Sequence, residues 1–157
     1  MSIRENIAFS VYNCDEEDII SASKSAQLHD DVMAFDKKYD TIVGERGITL
    51  SGGQKQRTAL ARAIVRQPQI LILDDSFSAV DTVTESKILQ SMKDIMKNRT
   101  TIIIAHRLTS VKNCDEIIVL DEGRIVENGS HETLISMNGI YADMFERQKL
   151  EEELQIG

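Results

Sequence analysis

The chain has 157 residues, 41% of them hydrophobic, which is enough for one domain with a buried core and argues against disorder. Acidic residues outnumber basic ones by 26 to 18, and the net charge of -8 disfavours binding to nucleic acid or to an anionic membrane. Cys14 and Cys114 lack the spacing of a zinc site or of a disulfide framework. Without a long apolar run or a secretory signal, we expect a reduced, cytosolic chain.

The first third of the chain predicts a helical region of about residues 8–52. A first helix is indicated after Asp15 by apolar residues with helical spacing, which are Ile19, Ile20, Ala22 and Ala26. A second helix is predicted from about His29, with apolar residues at i, i+3 and i+7, which are Val32, Phe35 and Tyr39. Glycines in the next segment, residues 41–47, indicate a turn.

A further helix is predicted over residues 54–66, with Gly52 and Gly53 at its start. Two adjacent glycines there let the backbone approach a ligand, and the free amides and the helix dipole attract a phosphate. Ser51 and Gln54 would add hydrogen-bond donors. The alternative is an ordinary Ser51 N-cap on a turn.

The apolar run of residues 69–75 predicts a buried parallel strand that ends in Asp74 and Asp75. Carboxylates at the C-terminal end of such a strand can hold Mg²⁺ beside nucleotide phosphates, and the second one could orient or activate a water. The alternative is an acidic turn that leaves the sheet. The polar loop that follows ends at Asp81, which is equally consistent with a helix N-cap.

A helix over residues 82–97 and a β-rich run over residues 100–105 complete a strand-helix-strand unit. His106 follows the second strand, at the edge of the sheet where Asp74 and Asp75 lie. A histidine there could donate to a phosphate or position water. The alternative is a histidine that serves only as a hydrogen-bond partner.

Residues 116–127 predict a hairpin around the turn at Gly123, and we expect it to form the antiparallel edge of the sheet. Helices are predicted from Ser130 and over residues 140–154, the latter ending in a solvated charge run. The expected fold is therefore α/β: a partial parallel sheet with flanking helices, a helical region on its N-terminal side and a hairpin at the edge.

In this order the motifs resemble the nucleotide-binding domain of ATP-binding cassette (ABC) transporters of the exporter type, which has a P-loop NTPase-like fold. The matching segments are Leu50–Gln54 for the signature motif, Ile70–Asp75 for Walker B, Ser78–Asp81 for the D-loop, His106 for the switch histidine, residues 41–47 for the X-loop and residues 2–7 for the stretch after the Q-loop. The resemblance covers residues 2 to about 148. It implies one domain over residues 1–157, with a helical and signature subdomain at about 8–52 and part of a RecA-like core with C-terminal helices at 53–157.

The resemblance also implies ATP and Mg²⁺ as ligands, with Asp74 coordinating the metal through water, Asp75 as catalytic base and His106 at the γ-phosphate. The further nucleotide-binding residues that it implies are Ser51, Gly52, Gly53, Gln54 and Asp81. The signature residues among them would reach the ATP of a second nucleotide-binding domain across a dimer. Transmembrane domains are the other implied partner, nucleic acid is not, and the implied location is the cytoplasmic side of the cell membrane.

Two departures from the family pattern bear on activity. No Gly-x-x-x-x-Gly-Lys-Ser/Thr occurs in the chain, so it resembles a C-terminal portion that lacks Walker A, and we expect it to be inactive alone. Asp75 stands where active members usually carry Glu, which resembles the weak site of heterodimeric exporters. A smaller departure is Ile42, where the X-loop often has Glu.

Two other functions remain open at this point. The same motifs occur in ABC-type ATPases of DNA repair and translation, although the acidic charge and the resemblance to the exporter X-loop weigh against them. A non-enzymatic interaction fragment is the second, which the absent Walker A favours.

Overall fold

The computed structural model describes residues 1–9, 11–44 and 47–156. It divides into two compact units, the first ending at Ile104 and the second beginning at Ala105. The regular elements of the first unit are, in chain order, α1 (Ile3–Ile7), α2 (Glu16–Ser25), α3 (His29–Met33), a 3₁₀ turn (Lys38–Asp40), α4 (Gly52–Val65), β1 (Ile70–Asp74), α5 (Thr82–Met96) and β2 (Thr100–Ile104).

Helix α1 was not predicted from the sequence, although its start carries a capping box. The Glu5 amide donates to Ser2 Oγ at 3.1 Å, and the Ser2 amide donates to Glu5 Oε2 at 2.7 Å. This reciprocal pair satisfies two amides at a helix start, and the Ser-x-x-Glu spacing is its sequence signal. A five-residue helix is too short to show an apolar period, so only the capping signal could have indicated it.

Helix α2 confirms the helix predicted after Asp15, but the helix predicted from His29 through Tyr39 is wrong beyond Met33. Lys38 has a left-handed backbone, with φ of 46°, which an α-helix cannot accommodate. The turn returns Tyr39 to the core, where the residue is 5% exposed. Tyr39, the predicted apolar residue at i+7, therefore reaches the core through a turn and not on a continued helix.

The position of α4 is fixed by its packing against α1 and α2. Its buried hydrophobic residues are Leu60, Ala61, Ile64 and Val65. Arg57 forms an ion pair with Asp31 at 2.6 Å and donates to the Gln27 carbonyl, while Arg62 donates to the Asn6 carbonyl at 2.6 Å and to the Asn6 side chain at 3.0 Å. These bonds attach both halves of the helix to the segments around it.

The predicted strand-helix-strand unit is confirmed by β1 and β2, which pair in parallel from Ile70↔Thr100 to Asp74↔Ile104 and are joined through α5. Leu71 and Leu73 are buried. The other face of β1 is exposed, so the strand is half-buried rather than buried on both faces as the sequence predicted. Successive side chains of a strand point to opposite sides of the sheet, so the core of the first compact unit covers only one face of β1.

The second unit contains a 3₁₀ turn (Leu108–Ser110), β3 (Ile117–Asp121), β4 (Arg124–Gly129), α6 (His131–Ser136) and α7 (Ile140–Ile156). The predicted hairpin is confirmed by the antiparallel pairing of β3 with β4. In the described residues it forms its own two-stranded sheet instead of extending the parallel one, because each of its strands takes the other as its hydrogen-bonding neighbour. Leu108, Ile117, Leu134 and Tyr141 form the core of this unit.

The start of α7 is held by one carboxylate on β4. Glu127 Oε1 accepts from the Ile140 amide at 2.6 Å, and Oε2 accepts from the Tyr141 amide at 2.9 Å. A carboxylate at this place satisfies amides that have no acceptor within the helix and interacts favourably with its dipole. Among the helices of the described ranges, none has the length and apolar character needed to cross a bilayer.

Candidate functional site

The start of α4 is a capping box between Ser51 and Gln54. The Gln54 amide donates to Ser51 Oγ at 3.2 Å, and the Ser51 amide donates to Gln54 Oε1 at 3.0 Å. The N-cap alternative for Ser51 is therefore confirmed. The helix begins at Gly52, so the predicted start at the glycine pair is confirmed, and this cap fixes its first turn. A role of these two side chains in holding a phosphate stays a prediction.

Gly52 and Gly53 occupy the first two helical positions. The first bond along the helix runs from the Lys55 amide to the Ser51 carbonyl at 2.9 Å, so the amides of both glycines precede the internal ladder and have no acceptor within it. A Cβ on Gly52 would lie 3.3 Å from the Ala79 methyl, and one on Gly53 would lie 2.9 Å from the Ala79 carbonyl oxygen. Glycine at position 53 is thus required by a contact with backbone inside the chain, besides any ligand, whereas a side chain at position 52 would meet only a methyl group.

The C-terminal end of β1 carries the two predicted carboxylates, and both residues are exposed. Asp74 lies on the face of β1 that holds Ile72, and it pairs with Ile104 in the parallel register. Asp75 has a left-handed backbone, with φ of 46°, and its amide donates to the Ile104 carbonyl at 3.1 Å. A non-glycine residue persists in that conformation only where its surroundings hold it.

The loop after Asp75 is anchored at two points by apolar side chains. Phe77 and Val80 are 5% and 4% exposed and belong to the core of the first unit. Ser78 Oγ donates to the Asp75 carbonyl at 3.3 Å, and the Val80 amide donates to the Phe77 carbonyl at 3.0 Å. The loop therefore has one defined path between the strand and the next helix.

Asp81 is the N-cap of α5, as the alternative interpretation of the sequence had it. Its Oδ1 accepts from the Thr84 amide at 2.9 Å. Hydrogen bonds from Thr84 stabilise the ionised carboxylate and lower the pKa of Asp81. Its implied part in nucleotide binding stays a prediction.

Gln56 joins α4 to the loop after β1, and sequence reasoning missed it. Its Nε2 donates to the Asp75 carbonyl at 3.2 Å and to Ser78 Oγ at 2.8 Å, and its Oε1 accepts from the Ala79 amide at 2.9 Å. Gln56 lies four residues after Gly52, on the same face of the helix one turn later. In the sequence, this spacing was the one signal that pointed to Gln56, and it could not indicate which loop the side chain contacts.

His106 belongs to the second unit, which begins at Ala105, so its predicted place beside the carboxylates stays a prediction. The residue is exposed, and its carbonyl accepts from the Gln148 side-chain amide. Gln148 Oε1 in turn accepts from the Leu108 amide at 2.8 Å. A side chain of α7 thus holds the backbone on both sides of residue 107.

The segment that resembles the X-loop, residues 41–47, is described in part. Glu45 and Arg46 lie outside the described residues. Ile42 is 46% exposed, and a Cβ on Gly47 would lie 2.0 Å from the Ile42 carbonyl oxygen. The described ends of the segment therefore approach each other so closely that position 47 requires glycine.

The comparisons with known proteins agree on one family. Residues 1–78 match the family model described as ABC transporter. The chain is 50% identical over 147 residues to the uncharacterized ABC transporter ATP-binding protein YknU of Bacillus subtilis strain 168, which covers 94% of this chain and 25% of that protein. It is 42% identical over 153 residues to the ATP-dependent lipid A-core flippase of Syntrophus aciditrophicus strain SB, covering 98% of this chain and 26% of that protein.

A solved structure is similar in fold as well as in sequence. It is that of a bacterial Atm1-family ABC exporter with ATP bound, with a TM-score of 0.88 and 45% identity, covering 94% of this chain and 26% of that one. The chain thus spans about a quarter of the length of these relatives.

Proposed function

Because this chain belongs to the ABC transporter family, we propose that it forms part of an ATP-hydrolysing module that powers export of a substrate across a membrane. The observation that carries this proposal is the similarity, over 94% of the chain, to an exporter whose structure has ATP bound. At 45% identity, such a likeness supports a shared site as well as a shared fold.

The residues of the first unit fit ATP and Mg²⁺ by their chemistry. The amides of Gly52 and Gly53 lack acceptors within α4 and lie at the positive end of its dipole, which favours a phosphate. The exposed Asp74 and Asp75 supply the oxygen ligands that Mg²⁺ prefers. When bound, Mg²⁺ would neutralise charge on the phosphate oxygens.

The active assembly that we propose is a dimer of two nucleotide-binding domains in which the two sites differ. Asp75 is one methylene shorter than Glu, and a displacement of about 1 Å from the position that orients a water can cost roughly 10²-fold in rate. The glycine pair of this chain would serve the ATP of the partner, so the signature and the carboxylates act on different nucleotides. From this division we infer a heterodimer in which most ATP is hydrolysed at the second site, which combines this chain's glycine pair with the partner's carboxylates.

Membrane domains are the further partner that we propose, with the module on the cytoplasmic side of the membrane. The exporter and the flippase that the chain resembles support a membrane partner. The net charge of -8 disfavours a function that requires binding to nucleic acid.

The test is the steady-state ATPase rate of the complete protein that contains this chain, with its partner, as wild type and as Gly52→Asp. A carboxylate at the start of α4 repels a phosphate and crowds Ala79, so the rate should fall to background. Gly123→Asp, in the turn between β3 and β4, is the matched control, because a Cβ there meets open space and Asp is among the few L-residues that adopt a positive φ, here 75°, at some cost in strain. A wild type without ATPase activity, or equal rates in all three proteins, would reject the proposal.

A further inference from the structure

Gln56 uses its whole side-chain amide on one loop. The Nε2 group donates to the Asp75 carbonyl at 3.2 Å and to Ser78 Oγ at 2.8 Å, and Oε1 accepts from the Ala79 amide at 2.9 Å. Two bonds to the loop backbone and one to the Ser78 side chain fix the path of the loop more strongly than a single bond does, because they act at three different residues.

The loop needs such a support at Asp75. This residue holds a left-handed backbone at φ of 46°, which L-residues rarely adopt. Its amide is held on the strand side by the Ile104 carbonyl at 3.1 Å, and its carbonyl is held on the helix side by Gln56 and Ser78. The direction of the Asp75 side chain follows from this backbone conformation.

The same loop also supports the start of α4. Ala79, whose amide is held by Gln56, lies against both helix-start glycines, with its carbonyl oxygen 2.9 Å from the place of a Cβ on Gly53. A displacement of the first turn of α4 towards the loop would therefore be resisted by Ala79. The contact and the three hydrogen bonds together join the helix start to the loop.

We propose that Gln56 is a positioning residue that locks the glycine start of α4 to the loop carrying Asp75, so that a movement at one nucleotide-facing element is passed to the other within the same chain. This inference rests on the proposed function, in which the glycines face the partner's nucleotide and Asp75 faces the chain's own. Gln56 touches neither nucleotide in this arrangement. It acts through the loop backbone.

The test uses the complete protein with its partner, as wild type, Gln56→Met and Gln56→Ala. Met keeps the length of the side chain and removes all three hydrogen bonds, which separates bonding from packing. Both variants should lower kcat for ATP about tenfold or more, while KM stays within about twofold, because the start of α4, which serves the partner's working site, loses its support from the loop but keeps its phosphate-binding groups. Deuterium exchange in the peptide spanning residues 76–81 should become about tenfold faster, since the Ala79 amide loses its acceptor.

Gln90→Ala is the matched control, because Gln90 is an exposed glutamine on α5. It should leave kcat, KM and the exchange of residues 76–81 at wild-type values. Gln56→Glu separates the accepting bond from the donating ones. Its carboxylate can still accept from the Ala79 amide but cannot donate to the Asp75 carbonyl. We expect slow exchange at Ala79 together with a reduced kcat.

Faster exchange with an unchanged kcat in Gln56→Met would overturn the inference, because the contact would then serve only local structure. Unchanged exchange would overturn it as well, because the contact would not hold the loop. Loss of thermal stability with a kcat that returns to the wild-type value once the rate is divided by the folded fraction would point to a purely structural role and have the same consequence. A wild type with no ATPase activity would reject the proposed function and this inference together.

Discussion

The carbonyl oxygen of Ala79 lies so close to Gly53 that a Cβ on this glycine would come within 2.9 Å of it. Real Cβ atoms are not found at that distance from a backbone oxygen. The neighbouring Gly52 faces only the Ala79 methyl, at 3.3 Å. Gly52 and Gly53 therefore both face Ala79, but only Gly53 lies so close to its backbone oxygen that a Cβ does not fit.

Gly53→Ala should destabilise the chain, because α4 or the loop must shift to relieve a contact with backbone. Overpacking of this kind lowers the free energy of unfolding by about 1–3 kcal/mol, partly offset by the better helix propensity of Ala. Gly52→Ala should change stability by less than about 0.5 kcal/mol, since a methyl group can yield. Urea unfolding of both variants beside wild type measures the difference.

A second substitution identifies the contact responsible. Ala79→Gly removes the methyl group that faces Gly52 but leaves the carbonyl that faces Gly53. It should therefore not rescue Gly53→Ala. Full rescue would show that side-chain crowding, and not the carbonyl oxygen, sets the requirement at position 53.

The 157-residue chain alone should bind ATP very weakly and hydrolyse none of it. The phosphate-wrapping glycine-rich loop with Lys and Ser or Thr does not occur in its sequence, and this loop supplies most phosphate donors in P-loop proteins. Calorimetric titration with Mg-ATP is the measurement, with light scattering on the same sample to give its mass. A micromolar dissociation constant would contradict the prediction.

Asp75→Glu should raise turnover at this chain's own site in the complete protein, because the longer carboxylate reaches a water position that Asp75 does not. The catalytic base of the partner must first be removed so that the background rate is low. A gain of about tenfold or more in kcat is expected.

Asp75→Asn gives the opposite comparison, in a protein with an intact partner site. It should leave the steady-state rate close to wild type, because the site with Asp75 contributes little turnover. Loss of activity on Asp75→Asn alone would show that this site is the working one, and an unchanged rate for Asp75→Glu would show that Asp75 is not a base.

The cap at Asp81 predicts a pH dependence of stability. Hydrogen bonds from Thr84 lower the pKa of Asp81 below its ordinary value of 3.8, so the folded chain binds fewer protons there than the unfolded chain. The stabilisation is present above the unfolded pKa and is lost as pH falls through the folded one. Asp81→Asn keeps an oxygen acceptor but does not titrate.

Urea midpoints at about pH 5 and about pH 3 test this dependence. The wild type should lose more stability across that interval than Asp81→Asn. Identical losses in the two proteins would mean that the cap does not depend on the charge of Asp81.

Much of the site could be predicted from the sequence because it is encoded in short, local patterns. The Ser-Gly-Gly-Gln order places a helix start, and an apolar run that ends in Asp74 and Asp75 places a strand end. Each depends on residues within one turn or one strand. Both were found where predicted, with the end of the helix and both ends of the strand shifted by one residue.

The links between these elements were decided by the tertiary structure alone. Gln56 and Ala79 are 23 positions apart in the chain and form a hydrogen bond through the path of a loop that no periodicity encodes. The early end of α3 and the left-handed backbone of Asp75 likewise arise from how segments pack. Local patterns specify where an element begins because its hydrogen bonds lie within a few residues, whereas the loop geometry between elements is set by long-range contacts formed only when the chain is folded.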